Sequence, residues 1–314
     1  MRDLTVKKAG EVKAGAGVDH KYFHNYTIKH DFMGLRSDLT GIIPEDILIH
    51  LPDGYEIIGT IAIISIPTDL LQFQDLIVNA LLSRRPRIHT IVNKTGDARG
   101  IYRISKYVPI YGKTLITEHK EYGFKYRLDI SQVYFSSKMA SERKRIADLI
   151  IPGETVFVPF AGVGPYAIPA AARGARVVAM EINKNACFWM AVNTTLNRVS
   201  SGLHIVQGDA LVANNSIRQK FSRIIIPTPY GLLRGPNIFF PMLTDHGTVH
   251  WITFANKSEI HELMRELAEE GYHILRCHEC GNVAPSVYRW IVDIKKRGSP
   301  VSSPYISVSS QNFQ

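Results

Sequence analysis

Phe160-Ala161-Gly162-Val163-Gly164-Pro165 is a turn punctuated by two glycines. Glycines there let backbone approach a ligand closely, and the helix start that follows supplies free N–H groups. Two carboxylates lie downstream. Met180-Glu181 puts one at the end of a second strand, where a ribose diol is gripped. Gly208-Asp209-Ala210 puts another after a third strand, where an adenine amino group is read. The third glycine of a dinucleotide fingerprint is missing. The spacing suits S-adenosylmethionine (SAM), whose cationic sulfonium has no phosphates to cradle. A lone G-x-G is also an ordinary tight βα turn, so the ligand reading leans on the two carboxylates.

A second set of residues fits a polyanion. The 314 residues carry 37 Lys and Arg against 28 Asp and Glu, a net charge of +9. Arg84, Arg85, Arg87, Lys94, Arg99, Arg103, Lys106 and Lys113 face the single acid Asp97, which concentrates +7 in thirty residues. Lys138, Arg143, Lys144 and Arg145 with Glu142 add +3. Such runs are often solvated faces. Here Tyr102, Tyr107, Tyr111, Tyr122, Phe124, Tyr126, Tyr134 and Phe135 are interleaved. Cations track phosphates and aromatic faces stack on splayed bases, which is how looped RNA is held.

The elements that must position these residues fall into two patterns. Ile47–Ile49, the apolar run 57–66, His89–Asn93, Tyr102–Ile104 and Tyr126–Ile130 read as strands, with a helix over Asp69–Leu82. Together they predict a small α+β domain over 46–148, closed by a connecting helix over 136–147 that Ser136 or Ser137 caps. From Thr155 strand and helix alternate, with strands at 156–158, 177–180, 204–206, 223–226, 248–254 and 287–294. Helices at 165–172, 185–196 and 257–270 lie between them, so 149–297 predicts a doubly wound, mostly parallel sheet. Residues 1–45 read as a leader or reduced subdomain, and the Ser- and Pro-rich 298–314 as a loose tail.

The glycine turn with Tyr166 and Ile168-Pro169-Ala170-Ala171 resembles the SAM motif of the archaeal and eukaryotic tRNA guanine-37 N1-methyltransferases. The resemblance runs over about residues 47–297, including Asn93-Lys94, Tyr102-Arg103, Gly112, His119 and Ala284-Pro285-Ser286-Val287. Val133-Tyr134-Phe135-Ser136 followed by Ser141-Glu142-Arg143 is its most specific part. It implies an α/β, Rossmann-like SAM domain behind a smaller RNA-binding domain, with SAM as cofactor and the tRNA anticodon stem-loop as partner. It implies Glu142 as general base at guanine N1, Arg103 at the guanine carbonyl oxygen and Tyr134 beside the base. A carboxylate that takes the N1 proton and a cation that faces the carbonyl fit that chemistry. The cofactor residues expected are Phe160, Ala161, Gly162, Gly164, Glu181, Asn183, Asp209, Ala210 and Pro229. Those expected on RNA are Arg84, Arg85, Arg87, Lys94, Phe135, Lys138, Arg143 and Tyr230.

The related aminocarboxypropyl transferases of wyosine synthesis share the SAM domain and form the alternative, with methylation of another substrate or a non-catalytic RNA-binding role behind them. The sequence departs from the family twice. Val158 stands where the first SAM strand carries an acid, and Pro227-Thr228-Pro229-Tyr230 stands where an Asn-Leu-Pro or Asn-Pro-Pro signature is found. Cys277 and Cys280, the C-x-x-C, give half a zinc site and read as reduced thiols, so no metal is expected. The start shows no secretory h-region and no apolar run reaches the ~20 residues of a membrane helix. A cytoplasmic monomer is the expectation.

Overall fold

The computed structural model describes residues 34–96, 100, 102, 104–232 and 235–296. Arg103 and the expected tail lie outside the described residues, as do residues 1–33. The first elements are α1 (Leu35–Leu39), α2 (Glu45–Leu48), β1 (Glu56–Ile58), β2 (Ile61–Ile64), α3 (Gln74–Arg84), β3 (Thr90–Lys94) and β4 (Tyr107–Tyr111). They form a four-stranded sheet in the order β1-β2-β3-β4, with β2 and β3 parallel across α3. All four residues of β2 are buried, as a central strand covered on both faces requires. Leu35, Leu39, Ile43, Leu48 and Leu51 share a core with Leu70, Ile77 and Leu81. Leu35, Leu39 and Ile43 therefore pack into the core of this sheet.

Two sequence expectations move. Ile47–Ile49 is no strand: Pro44 precedes a helix opened by Glu45 and Asp46, the N-terminal chemistry that three adjacent apolar residues conceal. The run 57–66 breaks into β1 and β2 at Gly59, where φ is +58°. The strand expected at Tyr102–Ile104 includes Arg103, outside the described residues, and the next strand described is β4.

Next comes a hairpin, β5 (Ile116–Glu121) and β6 (Phe124–Asp129), and then α4 (Ala140–Asp148). β5 has no counterpart in the sequence reading. The later elements are β7 (Thr155–Pro159), α5 (Ala167–Ala172), β8 (Arg176–Glu181), α6 (Lys184–Leu196), β9 (Leu203–Gln207), α7 (Ala213–Ser216) and β10 (Phe221–Pro227). β11 (Leu243–Ala255), α8 (Lys257–Glu269), β12 (Tyr272–Ala284) and β13 (Val287–Lys296) follow, the last elements among the described residues. The edge of β6 is capped by α6: Arg127 N donates to Asn193 Oδ1 at 2.6 Å and Lys125 N to Asn197 Oδ1 at 2.9 Å. Tyr126 and Leu128 of the hairpin share one core with Val158, Ile168 and Trp189. The core thus runs from hairpin into the large sheet without a break at residue 148.

The large sheet has the order β12-β13-β11-β10-β7-β8-β9. β10 is parallel to β11 and β7, and β7–β8–β9 continue parallel, while β13 runs antiparallel between β11 and β12. The strand order reverses at β7 and β10. In open α/β sheets a ligand crevice forms at the C-terminal ends of the strands at that point. The sequence residues singled out for a cofactor sit there.

Candidate functional site

At the end of β7 the chain turns through Phe160 (φ +53°), Gly162 (φ +56°) and Gly164 (φ +92°). Phe160 is a non-glycine residue in left-handed conformation, a strain of a few kcal/mol at most that clusters at ligand sites. A Cβ on Gly164 would lie 3.0 Å from Ile168 Cδ1 and 3.1 Å from Met190 Cγ, so this position needs glycine for space as well as for φ. Gly162 faces open space. The turn is tied to β8 at two points: Ala161 N donates to Met180 O at 3.0 Å, and Gly162 N to Glu181 Oε2 at 2.8 Å. Glu181 Oε1 accepts from Asn183 N at 2.8 Å. Burial pushes the Glu181 carboxyl above its ordinary pKa, against the opposing pull of the Asn183 and Gly162 N–H groups. A carboxylate has about four lone-pair sites, so acceptor capacity remains for a hydroxyl donor.

Asp209 is exposed, and its side chain accepts from Leu211 N at 2.9 Å at the head of the turn Ala210–Val212. After β10, Thr228 N bonds to the Ile226 and Ile252 carbonyls, and Thr228 Oγ1 accepts from Trp251 Nε1 at 3.1 Å. Pro229 is half-buried, and the exposed Tyr230 stands edge-on to Phe254, ring centroids 5.1 Å apart. Val158 is wholly buried in β7, so no acid reaches the crevice from that position.

A second loop is fastened to this crevice. Asn183 Nδ2 donates to Gln132 O at 2.9 Å, and Asp129 Oδ1 accepts from both Ser131 N and Ser131 Oγ. These bonds hold the chain leading to Tyr134, which is 55% exposed, beside the end of β8. From the small domain, Glu56 Oε1 accepts from Ser137 N at 3.1 Å, and Ser136 caps the turn Ser137–Met139 ahead of α4.

Two residues expected on RNA turn inward here. Phe135 is buried, tilted against His119 and Tyr126. Arg143 is buried too, its guanidinium donating to both carboxylate oxygens of Glu121, at 2.8 and 2.5 Å, and to Ser136 O at 3.0 Å. It also lies over the Phe135 ring, 5.2 Å from the centroid. Arg143 therefore holds the Tyr134–Ser137 segment in place, and at 4% exposure its guanidinium is out of reach of a phosphate. Removing one partner of a buried pair leaves an uncompensated charge. Arg143→Ala is expected to lower unfolding stability by about 3–5 kcal/mol in denaturant melts, whereas Arg143→Met with Glu121→Leu costs much less. A loss below about 1 kcal/mol would return Arg143 to the surface cations.

Of the other expected RNA contacts, Arg84 is committed to Asp38 and to Gly34 O, which ties α3 to α1. Arg85, Arg87 and Lys138 are exposed, and Lys94 is half-buried on β3.

On the other flank of α4, three residues along from Arg145, lies Glu142. Its Oε2 accepts from Arg145 Nε at 2.6 Å and its Oε1 meets His278 Nε2 at 3.0 Å. Arg145 is itself fixed, Nη1 donating to Asp293 Oδ2 at 2.7 Å. Asp293 Oδ1 meets His250 Nδ1 at 2.6 Å, and His250 Nε2 meets Arg223 Nη1 at 2.6 Å. Arg223 ends the chain in Glu154. Because Arg223 can only donate, His250 Nε2 accepts and its Nδ1–H points at Asp293. Burial pushes the His250 pKa down, which agrees with that neutral imidazole. Burial pushes the Glu142 carboxyl up, but the hydrogen bonds from Arg145 and His278 outweigh it and hold the carboxyl below its usual pKa.

Glu142, His278 and Cys280 bring ligand-type atoms within 4.8 Å of one another. Burial raises the Cys280 thiol to about 11, so it is protonated at neutral pH, and the Arg289, Arg145 and Arg276 guanidinium groups lie close by. That field favours hydrogen bonding over a bound cation. Sequence reasoning missed His278 as a partner of Glu142, and Asp293 and His250 behind Arg145. The only signal for His278 was its place inside Cys277-His278-Glu279-Cys280, on a strand the sequence did not reveal.

Residues 117–276 match the TRM5/TYW2 methyltransferase domain and residues 35–115 the TYW2 N-terminal domain. The chain is 31% identical over 261 residues to the tRNA (guanine(37)-N(1))-methyltransferase Trm5b of Pyrococcus abyssi, covering 81% of this chain and 78% of that one. It is 31% identical over 180 residues to the tRNA (guanine(37)-N(1))-methyltransferase of Saccharomyces cerevisiae, but spans only 36% of that protein's length. The crystal structure of wild-type Trm5b from Pyrococcus abyssi superposes with a TM-score of 0.72 at 30% identity, over 81% of this chain and 78% of that one. With both segments matched and a relative above 30% identity over most of its length, the chain belongs to the TRM5/TYW2 methyltransferase family.

Proposed function

We propose that this chain is a SAM-dependent methyltransferase that modifies N1 of guanine 37 in tRNA. The observation that carries the reading is the Glu142 carboxylate, held ionised by Arg145 and His278 on the helix that follows the exposed Tyr134 loop. That loop is pinned to the Glu181 crevice by the Asn183–Gln132 bond.

The crevice residues fit SAM. Glu181 keeps acceptor sites for a ribose diol, Gly162 leaves open space for close approach, and exposed Asp209 is available to an adenine amino group. The exposed Ile182 gives the adenine an apolar flank. When bound, SAM supplies an electrophilic methyl group. Glu142 accepts the N1 proton, Tyr134 packs against the base, and Arg103, outside the described residues, stabilises the carbonyl oxygen by resemblance to the family. Arg85, Arg87 and Lys138 offer exposed charge to the tRNA backbone. Among the described residues no helix is long and apolar enough to cross a membrane.

Incubation with SAM and an unmodified tRNA transcript that carries guanine at position 37, followed by nucleoside mass analysis, tests the reading. The expected product is 1-methylguanosine at that position. A second reading, aminocarboxypropyl transfer, is favoured by one observation, the match of residues 35–115 to the TYW2 N-terminal domain.

A further inference from the structure

The Cys277–Cys280 segment looked like half a metal site, yet the group it delivers to Glu142 is an imidazole. His278 lies on β12, and the pairing of Cys277 with Val292 and of His278 with Ile291 fixes its register against β13. Its Nδ1 lies 3.1 Å from Arg276 Nε. A guanidinium Nε can only donate, so Nδ1 is the acceptor and the ring proton sits on Nε2. That proton points at Glu142 Oε1, 3.0 Å away. The other oxygen, Oε2, is taken by Arg145, which Asp293 holds in turn. Glu142 is thus fixed at both oxygens from two directions, one through α4 and one through the edge strand.

We propose that His278 is a positioning residue for the reaction, its Nε2–H orienting the Glu142 carboxylate and keeping it ionised while Arg276 fixes the tautomer. This rests on the reading of Glu142 as the base. The arrangement has a chemical logic. Arg145 is a permanent cation locked into a buried network, so it sets the resting charge of Glu142. His278 is held only by hydrogen bonds to Arg276 and Glu142, and its side chain is 22% exposed. Its bond is the one an entering base can loosen, which strengthens Glu142 as a proton acceptor only once substrate is in place. Besides Arg145 and His278, the titratable and charged groups around the carboxylate are Cys280 and Arg276 on β12, Arg289 on β13, and Tyr166 ahead of α5.

The test compares His278→Ala, His278→Gln and Glu142→Ala in the full chain. It measures SAM affinity by calorimetry and single-turnover methyl transfer to the tRNA transcript as a function of pH. A hydrogen bond to a charged acceptor corresponds to a shift of about one to two pH units. His278→Ala is therefore expected to move the acid limb of the rate profile up by that amount and to lower the plateau roughly tenfold or more, with SAM affinity unchanged. Glutamine keeps an N–H donor at similar reach. His278→Gln is expected to recover most of the rate and the original limb. The proposal is overturned if His278→Ala leaves both limb and plateau in place, or if glutamine and alanine behave alike. If Glu142→Ala itself retains its rate, the reading of Glu142 as base fails first. A dead Glu142→Ala beside an unaltered His278→Ala profile sinks the His278 proposal alone.

Discussion

Replacing Glu142 with alanine is expected to slow single-turnover methyl transfer by about 10²–10⁴, the usual contribution of a positioned proton acceptor. SAM affinity and tRNA affinity should stay within a few-fold of the parent, because the bonds of the carboxylate go to Arg145 and His278 and none joins it to the Glu181 clasp. Glu142→Gln keeps the shape and the acceptor oxygen for one partner but cannot take a proton, so it should be nearly as slow. The variant also releases Arg145, which remains paired with Asp293, and the fold should hold. The sign of the pH effect follows from the depressed pKa. The ionised form is fully populated at neutral pH, and activity is lost as pH falls through the lowered value. The same group contributes stability above its unfolded pKa and loses it on the same acid side. Loss of less than tenfold in Glu142→Ala would remove it from the chemistry.

The second large effect belongs to the cofactor crevice. Glu181→Ala is expected to weaken SAM binding by roughly 100-fold or more, since each charge-assisted bond to a ribose hydroxyl is worth about 1.5–3 kcal/mol. The substitution also frees the Gly162 and Asn183 amides, which Glu181 holds at 2.8 Å each. Loosening of the glycine turn should then appear as extra loss of affinity beyond the ribose contacts. Glu181→Gln retains acceptors for part of that clasp and should lie between alanine and the parent. Calorimetry with SAM alone reads this without any RNA. Unchanged affinity in Glu181→Ala would place the cofactor elsewhere.

The parts of the fold visible in the sequence were those where burial on both faces writes a continuous apolar run. Val156-Phe157-Val158, Val177–Met180 and Ile224-Ile225-Ile226 each lie on an interior strand of the large sheet, and each was legible. Strand β12 was not, because it is an edge strand. Its residues are mostly half-buried or exposed, so Arg276, His278 and Glu279 interrupt any apolar pattern. Hairpin strand β5 was hidden for the same reason, with exposed Glu118 and Lys120 alternating with inward Thr117 and Glu121.

The site divides along a similar line. Glycine positions and Glu181 could be placed from local spacing, because a βα turn is built from neighbours in sequence. The partners of Glu142 could not. His278 comes from 136 residues away and Asp293 reaches it through Arg145, across a separation of 148. Arg143 illustrates the opposite error. In a run of cations, a surface phosphate ligand and a buried clamp look alike until Glu121, 22 residues upstream, is brought against it. The +3 knot beside Glu142 therefore offers only part of its charge to RNA: Arg143 and Arg145 are spent on Glu121 and Asp293, while Lys138 stays exposed.

Which group leaves SAM decides between the two chemistries this family name joins. Two preparations of SAM, one labelled in the methyl group and one in the carboxyl group of the aminocarboxypropyl chain, should be incubated separately with the enzyme and a tRNA transcript bearing guanine 37. Transfer of the methyl label alone, recovered as 1-methylguanosine and lost in a transcript with another base at position 37, is the expected outcome. Transfer of the carboxyl label, or of neither label, would contradict it.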